Sequence, residues 1–338
     1  MAFRRGCAGA RTSAVRPGGW VLAASLFVAA SSSLAFDLQG HRGARGLAPE
    51  NTLAGFRAAI VVGVSSLETD LGLTRDGVLV LSHEPRIAAA LARGADGQWL
   101  KDDGAPLSAL RYEDVARYDV GRLNPEHRYA AQWVEQKPAD GQRIPTLQNL
   151  FDLARPARSP GGSLVRFNIE TKVTPGREVP TADSETFARA VVAAVEKAGM
   201  TARVTVQSFD WSTLVAIRRL APGLQTSCLT IESSGMNTVR PGPDGASPWH
   251  AGLKLSDHGD SVTRLAAAAG CSTWSPFWRN VTASTVAEAH ALGLKVLPWT
   301  VNDPADISAM LELRVDGLIT DYPDRARRLL EERGIAID

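Results

Sequence analysis

Residues 66–83 read Ser66-Leu67-Glu68-Thr69-Asp70-Leu71-Gly72-Leu73-Thr74-Arg75-Asp76-Gly77-Val78-Leu79-Val80-Leu81-Ser82-His83. Residues 66–71 read as a strand that 71–74 continues, Arg75-Asp76-Gly77 supplies a turn, and Val78 to Ser82 alternates back. The segment therefore predicts a strand, a turn and a returning arm. Side chains two apart on a strand share a face, so Glu68 and Asp70 point the same way. Pairing Thr74 with Val78 sets Asp70 opposite Ser82 and His83 beside Thr69. A histidine is thereby returned to the height of two carboxylates.

The same rhythm continues outward from this hairpin. Strands are predicted at residues 36–41, 66–71, 165–170, 203–208, 224–229, 271–275, 295–300 and 316–320. Helical patterns fall at 52–62, 147–154, 181–198, 211–220, 282–292, 305–313 and 324–333. Strands alternating with helices imply βα units and a parallel sheet. Eight strands favour an α/β fold closed into a (β/α)₈ TIM barrel over an open doubly wound sheet. No G-x-G-x-x-G follows the first strand, which weighs against a dinucleotide fold. Residues 85–145 break the rhythm, with only short helical patterns such as 110–118, and predict an insertion on the catalytic face. Residues 232–249, rich in Gly, Pro and Ser, predict a long loop.

The first 35 residues are of another kind. Arg4, Arg5, Arg11 and Arg16 precede an apolar run at 21–30, and Ser33 and Ala35 fit a small-x-small cleavage site. Residues 1–35 predict a signal peptide, leaving a domain of 36–338 in the periplasm or medium. The apolar run is too short for the ~30 Å of a bilayer core, so no stable membrane insertion is expected once it is removed. The exported part keeps Cys228 and Cys271, either as buried free thiols or as a bridge. A hydrophobic content of 44% supplies a large core, while a net charge of +1 gives no basic stripe for nucleic acid.

Barrels of this kind carry their chemistry at the C-terminal ends of the strands. There the sequence places His41 and Arg42, Glu68 and Asp70, Glu170 and Lys172, and Trp299. Three converging carboxylates repel one another unless a cation lies between them, and all-oxygen ligation suits a hard divalent ion, Mg²⁺ or Ca²⁺. His41 and His83 flank that position as an acid–base pair. Arg42 and Lys172 suit an anionic phosphate, or simply neutralise the acids. Trp299 suits the apolar face of a small polyol, or barrel packing. Glu50 precedes a helix capped by Asn51 or Thr52 and is a candidate supporting residue.

With these residues in hand, the sequence resembles the glycerophosphodiester phosphodiesterase family, especially exported bacterial members with an insertion after the second histidine. The matching segments begin with Gly40-His41-Arg42-Gly43, Pro49-Glu50-Asn51-Thr52, Leu67-Glu68-Thr69-Asp70, Thr74-Arg75-Asp76-Gly77 and Ser82-His83. They continue through Asn168-Ile169-Glu170-Thr171-Lys172, Gln207-Ser208-Phe209-Asp210, Pro298-Trp299-Thr300-Val301-Asn302 and residues 316–323. The resemblance implies metal-dependent hydrolysis of glycerophosphodiesters to sn-glycerol 3-phosphate and an alcohol. It further implies Glu68, Asp70 and Glu170 as metal ligands, His41 and His83 as acid and base, and Arg42, Lys172, Gln207 and Trp299 on the substrate. The sequence departs from the family at Glu84, where Asp is usual, which bears on how His83 is oriented. Two other readings remain: lysophospholipase D-type cleavage of lysophospholipids, with residues 274–278 lining an apolar channel, and a non-catalytic barrel acting as a binding module.

Overall fold

The computed structural model describes residues 35–176 and 181–338, with Gly6 and Gly9. Apart from Gly6, Gly9 and Ala35, the predicted signal segment lies outside the described residues. The strands are β1 (Asp37–Gly40), β2 (Ser66–Leu73), β3 (Leu79–Leu81), β4 (Arg166–Thr171), β5 (Val204–Ser208), β6 (Gln225–Thr230), β7 (Thr273–Pro276), β8 (Lys295–Val296) and β9 (Gly317–Thr320). The helices are α1 (Leu53–Val62), α2 (Tyr112–Val115), α3 (Leu147–Ala154), α4 (Ser184–Lys197), α5 (Trp211–Leu220), α6 (Val262–Ala268), α7 (Ala283–Ala291), α8 (Pro304–Glu312) and α9 (Pro323–Glu332). Pairing runs β8-β7-β6-β5-β4-β2-β1-β9, parallel throughout. Between β8 and β9 the wall is completed by backbone bonds from Asp316 to Val296, Ile319 to Pro298 and Val301 to Ile319. This is the expected (β/α)₈ barrel.

Alternation along the strands sorts their side chains. In β4, Phe167 and Ile169 belong to the apolar core, while Asn168 and Glu170 belong to the polar interior. Phe167 meets Phe151 of α3 edge to face at 5.0 Å. Truncating such a buried ring to Ala costs about 3–5 kcal/mol. β3 pairs antiparallel with β2 in the predicted register, Leu71 with Leu81 and Leu73 with Leu79, and Ser82 donates its N–H to the Asp70 carbonyl.

Residues 85–145 carry α2 and a small apolar cluster of their own, including Ile87, Leu107, Val115 and Ile144. Some expectations need correction. β8 is only two residues long: Leu297 and Trp299 still donate to Trp274 and Pro276, but Pro276 of β7 has no N–H to return a bond. α6 was not anticipated: its Ala-rich run is short and follows a loop, although Ser261 caps it. Cys228 and Cys271 are joined in a buried disulfide that ties β6 to the start of β7. Among the described residues, no helix is long and apolar enough to cross a membrane.

Candidate active site

Strand register assembles the acids. β2 and β4 pair Asp70 with Glu170, and Glu68 lies one pleat below on the same face. All three are buried, and oxygens from each lie within 4.8 Å of one another. Burial raises the Glu68 carboxyl well above its ordinary value, and Asp70 and Glu170 push the same way. Burial also leaves Glu170 raised, despite Lys172 beside it. Burial pushes Asp70 up as well, yet Lys172 and Arg42 outweigh it and hold that carboxyl well below the usual range. Asp70 Oδ1 is buried and accepts no hydrogen bond, although Lys172 Nζ sits 3.1 Å away. A buried carboxylate oxygen that accepts no hydrogen bond, inside an all-carboxylate set, fits a hard divalent cation.

Cationic side chains surround this cluster. Arg42 takes a positive φ of 52°, a conformation non-glycine residues seldom adopt, and its N–H donates to Glu68 Oε2 at 2.8 Å. The next residue must be glycine, because a Cβ on Gly43 would come within 2.7 Å of the Gly55 backbone. The Arg42 guanidinium bonds Glu50 at 2.7 Å and lies 3.2 Å from Asp70. Glu50 also accepts from the Tyr129 hydroxyl, which reaches in from the 85–145 excursion. Lys172 donates to Glu170 at 2.7 Å.

Each histidine is held by a carboxylate. His41 Nδ1 lies 2.6 Å from Asp321 Oδ1. A carboxylate accepts only, so Nδ1 carries the proton and Nε2 keeps a lone pair, 3.9 Å from Glu68. Arg45 and Asn302 also donate to Asp321. Burial favours the protonated acid at Asp321, but His41 and Arg45 hold it far below the usual carboxylate range. Burial, with Arg45 and Arg42 adding to it, pushes the His41 imidazole down to about 4 against the pull of Asp321. His83 Nδ1 pairs with Glu84 Oε1 at 2.7 Å, leaving its Nε2 free in the same sense. Burial, then Arg42 and Lys172, pushes His83 to about 4, while its hydrogen bond pulls Glu84 down to about 2. Both rings face a cavity of about 200 Å³, together with Arg42, Glu68, Glu170 and Lys172.

The segment from the first histidine to the last helix has a counterpart among known proteins: residues 41–325 match the model of the glycerophosphoryl diester phosphodiesterase family. The chain belongs to this family. A glycerophosphodiester phosphodiesterase of Caldanaerobacter subterraneus subsp. tengcongensis is 26% identical over 302 residues, spanning 87% of this chain and 97% of that one. One from Bacillus subtilis is 27% identical over 297 residues, covering 84% and 83%. A crystal structure of a Silicibacter pomeroyi protein ascribed to the same group superposes with a TM-score of 0.78 at 35% identity, covering 90% and 96%. This member of the family is thus an enzyme that hydrolyses glycerophosphodiesters.

At the candidate site the barrel gathers His41, Arg42, Glu68, Asp70, His83, Glu170, Lys172, Gln207 and Trp299 about one centre. Glu50 stands behind Arg42, and Glu84 behind His83. Gln207, expected on the substrate, spends its amide on Glu68 at 2.9 Å. Trp299 packs edge-on to Phe209 at 5.4 Å and donates its indole N–H to the Ser275 carbonyl. The 274–278 segment does not line a channel as a unit. Trp274 is buried, with its indole N–H on Thr230, and only Phe277 and Trp278 reach half-buried positions.

Sequence reasoning missed Asp321, Arg45, Asn51 and Tyr129. Thr52 is the helix cap, which frees Asn51 to adopt a positive φ and bond both Asp70 and Thr69. Asp321 follows directly on the last barrel strand, the position that signals an active-site residue in this fold.

Proposed function

We propose that Glu68, Asp70 and Glu170 hold one divalent cation, Mg²⁺ or Ca²⁺, and that phosphodiester hydrolysis proceeds between His41 and His83. The observation that carries this reading is the buried three-carboxylate cluster, in which Asp70 Oδ1 accepts no hydrogen bond. When bound, the ion polarises a non-bridging phosphoryl oxygen and offsets charge developing there. Arg42 and Lys172 attract and orient the anionic diester. One histidine Nε2 takes the proton of the nucleophile, water or the glycerol 2-hydroxyl. The other, protonated once the anionic diester lies beside it, gives its proton to the departing alkoxide, so the pair exchanges protonation states in that step. Asp321 and Glu84 keep the two Nε2 atoms aimed inward, and Glu50 steadies Arg42. Trp299 offers an apolar face to the glycerol carbons.

We further propose that residues 1–35 direct export, with cleavage after Ala35, to a periplasmic or extracellular setting. The Cys228–Cys271 disulfide suits such an oxidising compartment. Release of sn-glycerol 3-phosphate from a glycerophosphodiester, measured after chelation and after adding back Mg²⁺ or Ca²⁺ separately, tests the metal reading. Turnover that survives exhaustive chelation would remove the cation from the mechanism.

A further inference from the structure

A second cavity, of about 510 Å³, lies between the barrel rim and the 85–145 excursion. It shares Arg42, Arg45 and His83 with the central cavity, so the two adjoin at the proposed reaction centre. Its volume falls within the roughly 300–1,000 Å³ typical of small-molecule pockets. Most charges on its walls are already committed: Glu50 to Arg42, Glu84 to His83 and Arg45 to Asp321. Two are not. Asp103 accepts the Ala89 N–H on Oδ1, and its other oxygen has no partner among the described residues. Arg128 lines the same cavity, exposed and without an ion pair among the described residues.

The opposite flank of the centre differs. Beside Glu170 and Lys172 lies a space of about 150 Å³ walled by Phe209, Met236 and Trp249. Its charged residues are paired, Glu84 with His83 and Lys172 with Glu170, and the rest of its wall offers mainly hydrocarbon faces. Of the two halves of a diester, one that carries charge belongs on the excursion side, where Asp103 and Arg128 lie.

We propose that the larger cavity receives the leaving alcohol of the diester, and that Asp103 and Arg128 select a zwitterionic headgroup. An ammonium on the alcohol pairs with Asp103, and a carboxylate fits the guanidinium fork of Arg128. The inference rests on the reading of the barrel mouth as the reaction centre and adds a substrate class to it.

The test is kcat/KM of the full-length enzyme for glycerophosphoserine, glycerophosphoethanolamine and glycerophosphoglycerol. The serine ester, carrying both charges, should be preferred. Asp103→Asn should lower the serine and ethanolamine esters relative to the glycerol ester. Arg128→Gln should lower the serine ester alone relative to the other two. Both charges are solvent-exposed, so each ratio should move by about two- to fivefold. Both substitutions are on the surface, and circular dichroism will confirm that the variants fold. Ratios that stay fixed, or a uniform fall across all three esters, would overturn the pocket assignment while leaving the reaction centre standing. Inactivity of the unmodified enzyme on all three would overturn both.

Discussion

The Asn168 side chain donates to Gln207 Oε1 at 2.8 Å, and this decides which end of the Gln207 amide faces Glu68. Because the Gln207 oxygen is occupied, its NH₂ group turns to Glu68 Oε1 at 2.9 Å. Asn168 donates equally to Gln39, which in turn donates to Asp37 at the far end of the barrel. A line of amides thus runs up the barrel axis and stops at a proposed cation ligand. Partners behind a metal ligand typically contribute 10–100-fold in affinity. Asn168→Asp would set an acceptor against an acceptor and turn Gln207 round. Calorimetry with Mg²⁺ or Ca²⁺ should show cation binding about tenfold weaker, with KM for the diester changed less than kcat. Undiminished cation affinity in a folded variant would reduce Asn168 to a packing residue.

Removing charge from the acid cluster should separate folding from function. Glu68→Gln keeps the shape and relieves repulsion from Asp70 and Glu170, the companions that help to raise Glu68. The metal-free variant loses that repulsion but sets its NH₂ against the Arg42 or Gln207 donor, so its Tm should stay within a few degrees of the parent. It should also lose the cation-induced rise in Tm and nearly all turnover. Thermal melts with and without cation provide the measurement, and a preserved cation-induced rise would take Glu68 out of the ligand set.

His83→Ala should lose about 10²–10⁴-fold, mainly in kcat, because the ring acts on protons that move only in the transition state. Glu84 reaches His83 Nδ1 from the neighbouring position. A shorter carboxylate can make that bond through another rotamer, so Glu84→Asp should cost less than about tenfold and Glu84→Ala more. Equal losses in the two Glu84 variants would mean that its carboxylate does not orient the ring.

The Cys228–Cys271 link closes 43 residues of sequence that include the long 232–249 loop. Constraining a loop of that length in the unfolded chain is worth about 4 kcal/mol by the chain-entropy account. The Cys228→Ala/Cys271→Ala variant should therefore melt about 6 °C lower, while its kcat stays close to that of the parent. A Tm that does not move would show the bridge to be energetically neutral.

The hairpin was legible because strand pairing is a local rule. Once Thr74 faces Val78, the register leaves no freedom at Asp70 and Ser82, and the Ser82-to-Asp70 backbone bond lies where the count places it. The acids were legible for a similar reason, since a two-residue period fixes the face. Asp321 was harder: its bond to His41 joins residues 280 apart in sequence, and no local pattern encodes that meeting. Asn51 was obscured by a capping signal shared with Thr52, which only the backbone angle resolves. Tyr129 comes from a stretch without helical or strand period, so nothing in its surroundings announces that it points at Glu50.

The two ends of the 85–145 excursion lie side by side. Val80 bridges Thr146, and the Leu81 N–H bonds the Pro145 carbonyl at 2.9 Å. The barrel has already brought the junction together, and the entropy of closing a loop grows only slowly with its length. Replacing the excursion with a shorter or longer one thus asks little of the strands that carry the acids. Such a junction makes the scaffold a socket: a different module seated at this seam would leave the acids of β2 and β4 in place and need only replace the Tyr129 bond to Glu50. A lineage built this way can diversify its diet without reinventing its chemistry.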